Sequence, residues 1–212
     1  MGDIIRKDGN KAEFRYLHDS EDFRRAQDEG FTGYPAFRTA RVSHEENVLD
    51  AFVCRLPSRK RGDFHEYLAA HSLPENFQGS DFSLLAHTGA KLPGDGFEII
   101  PDLTGIHAPY DLILEIAGTR HQDKIEVVLL KTGDSVQLVL EPSNVHDPLA
   151  IAVIHPLAKK LGYIPKPYCA ALRHAIENFQ VVTTIQKLNG SPDRPLIYLC
   201  LRVTEKSAPS YT

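Results

Sequence analysis

The feature that most constrains this chain is a single change of hydrophobic period. Before Pro101, apolar residues recur at spacings of three and four. After Pro109, they alternate or run unbroken. The segment between, Pro101-Asp102-Leu103-Thr104-Gly105-Ile106-His107-Ala108-Pro109, has the composition of a linker. A chain of 212 residues that switches pattern across a linker folds as two modules. The predicted division is residues 1–106 as an α+β module and residues 107–212 as a small mostly-β barrel of SH3 or OB type with one helix.

In the first module, Phe14 to Leu17 alternates as a short strand does. Glu45 to Arg55 reads as a helix, with Val48, Ala51, Phe52 and Arg55 on one face and Pro57 as its stop. Phe64, Tyr67, Leu68 and His71 or Leu73 mark a second helix, closed by Pro74. Phe82, Leu84 and Leu85 mark a third. A turn-rich loop, Gly89 to Gly96, leads into an expected strand, Phe97-Glu98-Ile99-Ile100.

In the second module, strands are expected at Leu112–Ala117, Ile125–Leu130, Val136–Leu140, Leu149–Ile154, Leu161–Ile164, Val181–Leu188 and Leu196–Val203. Lys131-Thr132-Gly133-Asp134 reads as a hairpin turn. A helix begins at Pro167, with Tyr168, Ala171, Leu172, Ala175, Ile176 and Phe179 as its buried stripe. Arg173 and Glu177 sit at pairing distance on its outer face.

Charge sets limits on partners. Residues 1–106 hold 13 Lys and Arg against 18 Asp and Glu, and residues 107–212 hold 11 against 10. The global field does not favour a polyanion, so contact with nucleic acid must come from a few placed cations. No apolar run approaches the ~20 residues that span a bilayer, and the first residues lack a secretory core. Cys54, Cys169 and Cys200 are odd in number and form no Cys-x-x-Cys pair, as reduced thiols of a cytoplasmic protein would be.

The densest signal is Glu141-Pro142-Ser143-Asn144-Val145-His146-Asp147-Pro148-Leu149-Ala150-Ile151-Ala152-Val153, followed by Leu161-Gly162-Tyr163-Ile164-Pro165. A strand ends, a loop of turn formers follows, and a second strand starts at once. Asn144 and Asp147 are turn-makers on the plain reading, folding back onto nearby backbone N–H groups.

With Gly133-Asp134 ahead of it, this pattern resembles the HIRAN domain over about Tyr110 to Thr204. The resemblance implies a small β-barrel with a helix. It also implies that the ligand is the 3′-hydroxyl end of single-stranded DNA, as for the best understood HIRAN domain. Carried over by position, Arg120 is implied on the DNA backbone and His121 in the place of a stacking tyrosine. Asp147 is implied as the acceptor for the terminal hydroxyl, His146 and Tyr163 as neighbouring ring contacts, and Lys166 on a phosphate. The chemistry is coherent. A carboxylate repels a phosphodiester and welcomes an O–H donor, while Arg120 and Lys166 offset that repulsion. Two departures stand out: His121 replaces an aromatic ring, and the loop Asn189 to Arg194 carries no aromatic where the family has a stacking phenylalanine.

The first module resembles the small N-terminal subdomain of HipA-type toxin kinases. Phe14-Arg15-Tyr16, Val48 to Pro57, Phe64 to Leu68, Asp81 to Ala86 and Gly94 to Pro101 carry that resemblance. No nucleotide loop or catalytic loop follows. The resemblance implies a docking module for a HipA-like kinase that lacks its own subdomain, hence an antitoxin or regulatory accessory.

Other motifs weigh toward the plain reading. Arg59-Lys60-Arg61 is a solvated loop rather than a nucleic-acid contact. The Gly89 to Gly96 loop lacks the Gly-Lys-Ser/Thr ending of a phosphate cradle. The ten histidines show no zinc-hydrolase spacing, and no Gly-x-Ser-x-Gly elbow occurs. The expected protein has no catalysis and no cofactor. A purely protein-binding role is the alternative, with a metal-dependent hydrolase or nuclease behind it.

Overall fold

The computed structural model describes residues 1–9, 11–92, 95–122, 125–191 and 194–206. Pro93 and Gly94 of the turn-rich loop lie outside the described residues, as do Pro192 and Asp193 of the late loop. The chain divides into two compact units, Met1–Pro101 and Asp102–Thr212.

The first unit pairs β1 (Gly2–Arg6), β2 (Ala12–Tyr16) and β3 (Ser43–His44) in an antiparallel sheet. Among the described residues four helices accompany it: α1 (Glu21–Asp28), α2 (Val48–Val53), α3 (Phe64–Ala70) and α4 (Asp81–Thr88). Ser20 and Ser80 cap α1 and α4 by accepting from Phe23 N and Ser83 N. Phe14, Tyr16, Phe23, Phe37 and Phe52 form an aromatic core. The helix expected over Glu45 to Arg55 is shorter, Val48–Val53, and Arg55 lies just past its end but is buried. It meets that environment by donating to Ala90 O, Phe97 O and both carboxylate oxygens of Asp95. These bonds fix Ala90, Asp95 and Phe97 without a ladder. Residues 97–100 are accordingly not the expected strand.

The second unit contains two three-stranded antiparallel sheets. One has the order β4 (Tyr110–Glu115), β9 (Arg194–Thr204), β8 (Gln180–Ser191); the other runs β5 (Gln137–Leu140), β6 (Ile151–His155), β7 (Lys159–Tyr163). Helix α5 (Lys166–Asn178) follows β7. β9 alternates in burial and β6 is buried along most of its length, and the residues turned inward, among them Leu114, Ile151, Val153, Leu161, Leu199 and Leu201, are buried.

The expected closed barrel is not found among the described residues. The two sheets are instead stitched by two isolated bridges, Ala117 to Tyr163 and Ser135 to Thr184. The ladders cannot extend past these points because the chain turns at Gly118 and Gly133, both at positive φ (75° and 92°). Ile125–Leu130 is also not a strand. It contains a 3₁₀ turn, Val127–Leu129, which buries Ile125 and Leu130 and leaves Val128 in solvent. Buried His155 ties the end of β6 to the Lys131–Asp134 turn. Its Nδ1 accepts from Leu157 N and Ala158 N, and its Nε2 donates to Asp134 Oδ2 at 3.2 Å.

Candidate nucleic-acid interface

Two segments of the second unit meet at Tyr163, the last residue of β7, and a third follows it in the chain. The first is the chain after β4. Ala117 N donates to Tyr163 O at 2.7 Å, and Tyr163 N donates back to Ala117 O at 2.9 Å. Gly162 makes this approach possible: a Cβ there would overlap Ala117 O. Immediately beyond lies the 3₁₀ turn Thr119–His121, which carries the first two candidates. Both are exposed, and Arg120 Nε donates to His121 Nε2 at 3.0 Å.

The second segment is the β5–β6 loop. Asn144 Oδ1 accepts from His146 N and Asp147 N, and Asp147 Oδ1 accepts from Leu149 N at 2.8 Å. Both residues therefore make the turns that their types favour. A carboxylate has about four lone-pair sites, so this one bond among the described residues leaves Asp147 acceptor capacity there. His146 is exposed at the loop tip beside Val145, which is 91% exposed.

The third segment is the β7–α5 junction. Lys166, the first residue of α5, is exposed. Behind it, the Cys169 thiol is pushed up, first by burial and then by the charge of Asp147; Arg173 and Lys166 act in the opposite sense. One sulfur thus feels the carboxylate and two cations together. Arg173 Nη1 donates to Pro148 O at 3.3 Å, so this guanidinium reaches the β5–β6 loop instead of the outer-face pairing with Glu177.

Four residues tie the loop to the strand. Lys160 Nζ donates to Glu141 Oε1 at 2.6 Å and to Tyr163 OH at 2.9 Å. The Tyr163 hydroxyl donates to Glu141 Oε2 at 3.0 Å, and Asn144 Nδ2 donates to the same oxygen at 3.1 Å. Lys160 lies 4.8 Å from the Tyr163 ring centroid. The Lys160 ammonium, followed by the Asn144 amide, holds the Glu141 carboxyl below its ordinary range, and Glu141 raises Lys160 in return.

Residues 160 and 163 of a regular strand point to opposite faces. Here Gly162 pairs with Val153 and Lys160 with Ile154, so Leu161 is an extra residue. This bulge turns Lys160 to the side of Tyr163. Lys160 and Arg173 are the residues that sequence reasoning missed. The bulge hid the first, and an apparent surface pairing hid the second.

The geometry thus joins Arg120 to His121, Tyr163 to the loop that carries His146 and Asp147, and Asp147 and Lys166 to the surroundings of Cys169. Among the described residues, no group of three or more His, Cys, Asp or Glu is placed to hold a metal ion. No described helix is long and apolar enough to cross a membrane. The three cysteines are free.

Among solved structures, the chain is similar to the HIRAN domain of human HLTF, with 18% identity over 44% of this chain and 74% of that one and a TM-score of 0.36. It is also similar to a Lactobacillus plantarum protein, with 23% identity over 45% of this chain and 100% of that one and a TM-score of 0.34. No curated protein matches the chain. The family model of the HIRAN domain matches residues 109–193, and the second unit of this chain therefore carries a HIRAN domain.

Proposed function

We propose that the second unit binds single-stranded nucleic acid at its 3′ end, without catalysis of its own. The observation that supports this reading is that the chain entering the Thr119–His121 turn and the β5–β6 loop are both tied to Tyr163, with the β7–α5 junction next to it in sequence, so that Asp147, the cations Arg120 and Lys166 and the exposed imidazoles of His121 and His146 come from adjoining segments. A terminal hydroxyl donates to Asp147; Arg120 and Lys166 take the neighbouring phosphates. His121, His146 and the Tyr163 ring offer planar faces, worth roughly 1–3 kcal/mol per stacked base. HIRAN membership supports nucleic acid as the ligand class, and the order of residues along the loop supports the strand end.

The test compares short oligonucleotides ending in a 3′-hydroxyl or a 3′-phosphate. Preference for the hydroxyl, lost in Asp147→Ala, is the expected result. Equal affinity for both ends removes the end-reading role. The first unit is proposed as a docking module for a HipA-like kinase, which would make the chain an antitoxin or regulatory accessory. That reading rests on its sequence pattern alone. Co-purification with a kinase lacking the subdomain tests it, and a neighbouring partner of another kind overturns it.

A further inference from the structure

The departures from the family pattern remove stacking faces, so a strand held here needs grip from elsewhere. Arg173 is placed to give it. Its guanidinium has five N–H donors in a rigid fork, and its contact with Pro148 O uses one of them. Pro148 is the residue after Asp147, so this bond sets the cation beside the loop that carries the proposed acceptor. Along α5, Arg173 follows Lys166 by seven residues, which brings both to one face about 10.5 Å apart in rise. Arg173 is half-buried where that face meets the apolar stripe of Leu172 and Ala175, which limits the positions its stem can take. The shared influence of Asp147, Arg173 and Lys166 on Cys169 supports the same placement.

We infer that Arg173 is a phosphate-binding residue of this site, so that α5 flanks Asp147 with two cations and the ligand is a strand held through several backbone phosphates. This inference rests on the nucleic-acid reading of the site and adds a third cation to Arg120 and Lys166. Each phosphate neutralised on a single strand contributes about −0.7 to the slope of log K against log salt. Two contacts then give about −1.4 and three give about −2.1.

The experiment measures binding of a fluorescent ten-nucleotide thymidine strand with a 3′-hydroxyl to the full chain, from 50 to 300 mM salt. The wild type is expected near a slope of −2. Arg173→Gln keeps a donor for Pro148 O and removes the charge. It is expected to flatten the slope by about 0.7 and to weaken binding about fivefold at 0.1 M salt. Arg173→Lys restores most of the slope, which a residue that only pins the loop would not do. Preference for a 3′-hydroxyl over a 3′-phosphate stays as in the wild type, since Asp147 is untouched. Wild-type binding with an unchanged slope and affinity in Arg173→Gln overturns the inference while leaving the site's function standing. If the wild type binds no strand, the functional reading fails first and the inference goes with it.

Discussion

Replacing Tyr163 by phenylalanine separates two roles that one side chain holds. The ring that faces Lys160 is kept, along with any stacking surface. The hydroxyl that joins Lys160, Glu141 and Asn144 is lost. Two hydrogen bonds to charged partners disappear, each nominally worth about 1.5–3 kcal/mol. The 2.6 Å bond between Lys160 and Glu141 survives, so neither charge is stranded, and both side chains are partly open to water. The net cost therefore falls to about 1–2 kcal/mol. It should be local, because the lost bonds join β7 to the β5–β6 loop. Amide hydrogen exchange on the full chain reads it directly: peptides spanning 141–150 are expected to exchange roughly 5- to 30-fold faster. Peptides from β8 and β9 should keep their rates. Oligonucleotide affinity should fall even though an aromatic ring remains at 163. Wild-type exchange in that loop would refute the argument that the phenol fastens it.

Other perturbations give separate checks. Gly162→Ala puts a methyl against Ala117 O and should break the bridge to Tyr163, seen as lost protection of the Ala117 amide and loss of strand binding. Arg55→Met leaves the Ala90 and Phe97 carbonyls and the partly open Asp95 carboxylate without their donor; the first unit should unfold at a clearly lower urea midpoint, and Arg55→Lys should recover little of it. Glu13 is held down to about 2, first by Lys7, then by Ser43 and Arg15. A carboxyl depressed on folding stabilises above its ordinary range near 4.5 and loses that contribution as pH falls toward 2. Thermal melts of Glu13→Gln between pH 5 and pH 2 should therefore show a shallower acid dependence than the wild type.

The parts of the fold that were legible are those where one physical rule acts alone. β6 is a continuous apolar run, and β8 and β9 alternate, so their existence followed from burial. Val136 to Leu140 also alternates. Ile125–Leu130 did not yield to the same reasoning. An apolar run satisfies both a buried strand and a turn that buries its two ends, and only tertiary contacts decide. Phe97–Ile100 failed for a related reason: Arg55 captures that segment from 42 residues away. In the candidate site, the loop and its turn-makers were readable because Asn144 and Asp147 act on their own neighbours. Glu141 and Lys160 are 19 residues apart and meet through a bulge, which leaves no periodic trace in sequence. Arg173 had a plausible partner four residues on, and that local pairing masked the one it makes across space.

The two-point stitching of the sheets has a mechanical corollary. The Ala117–Tyr163 bridge adjoins the Thr119–His121 turn that carries two of the proposed strand contacts, so on the proposed reading grip on a strand and cohesion between the sheets share one joint. By reciprocity, a bound strand resists separation of the sheets as strongly as their separation weakens its hold.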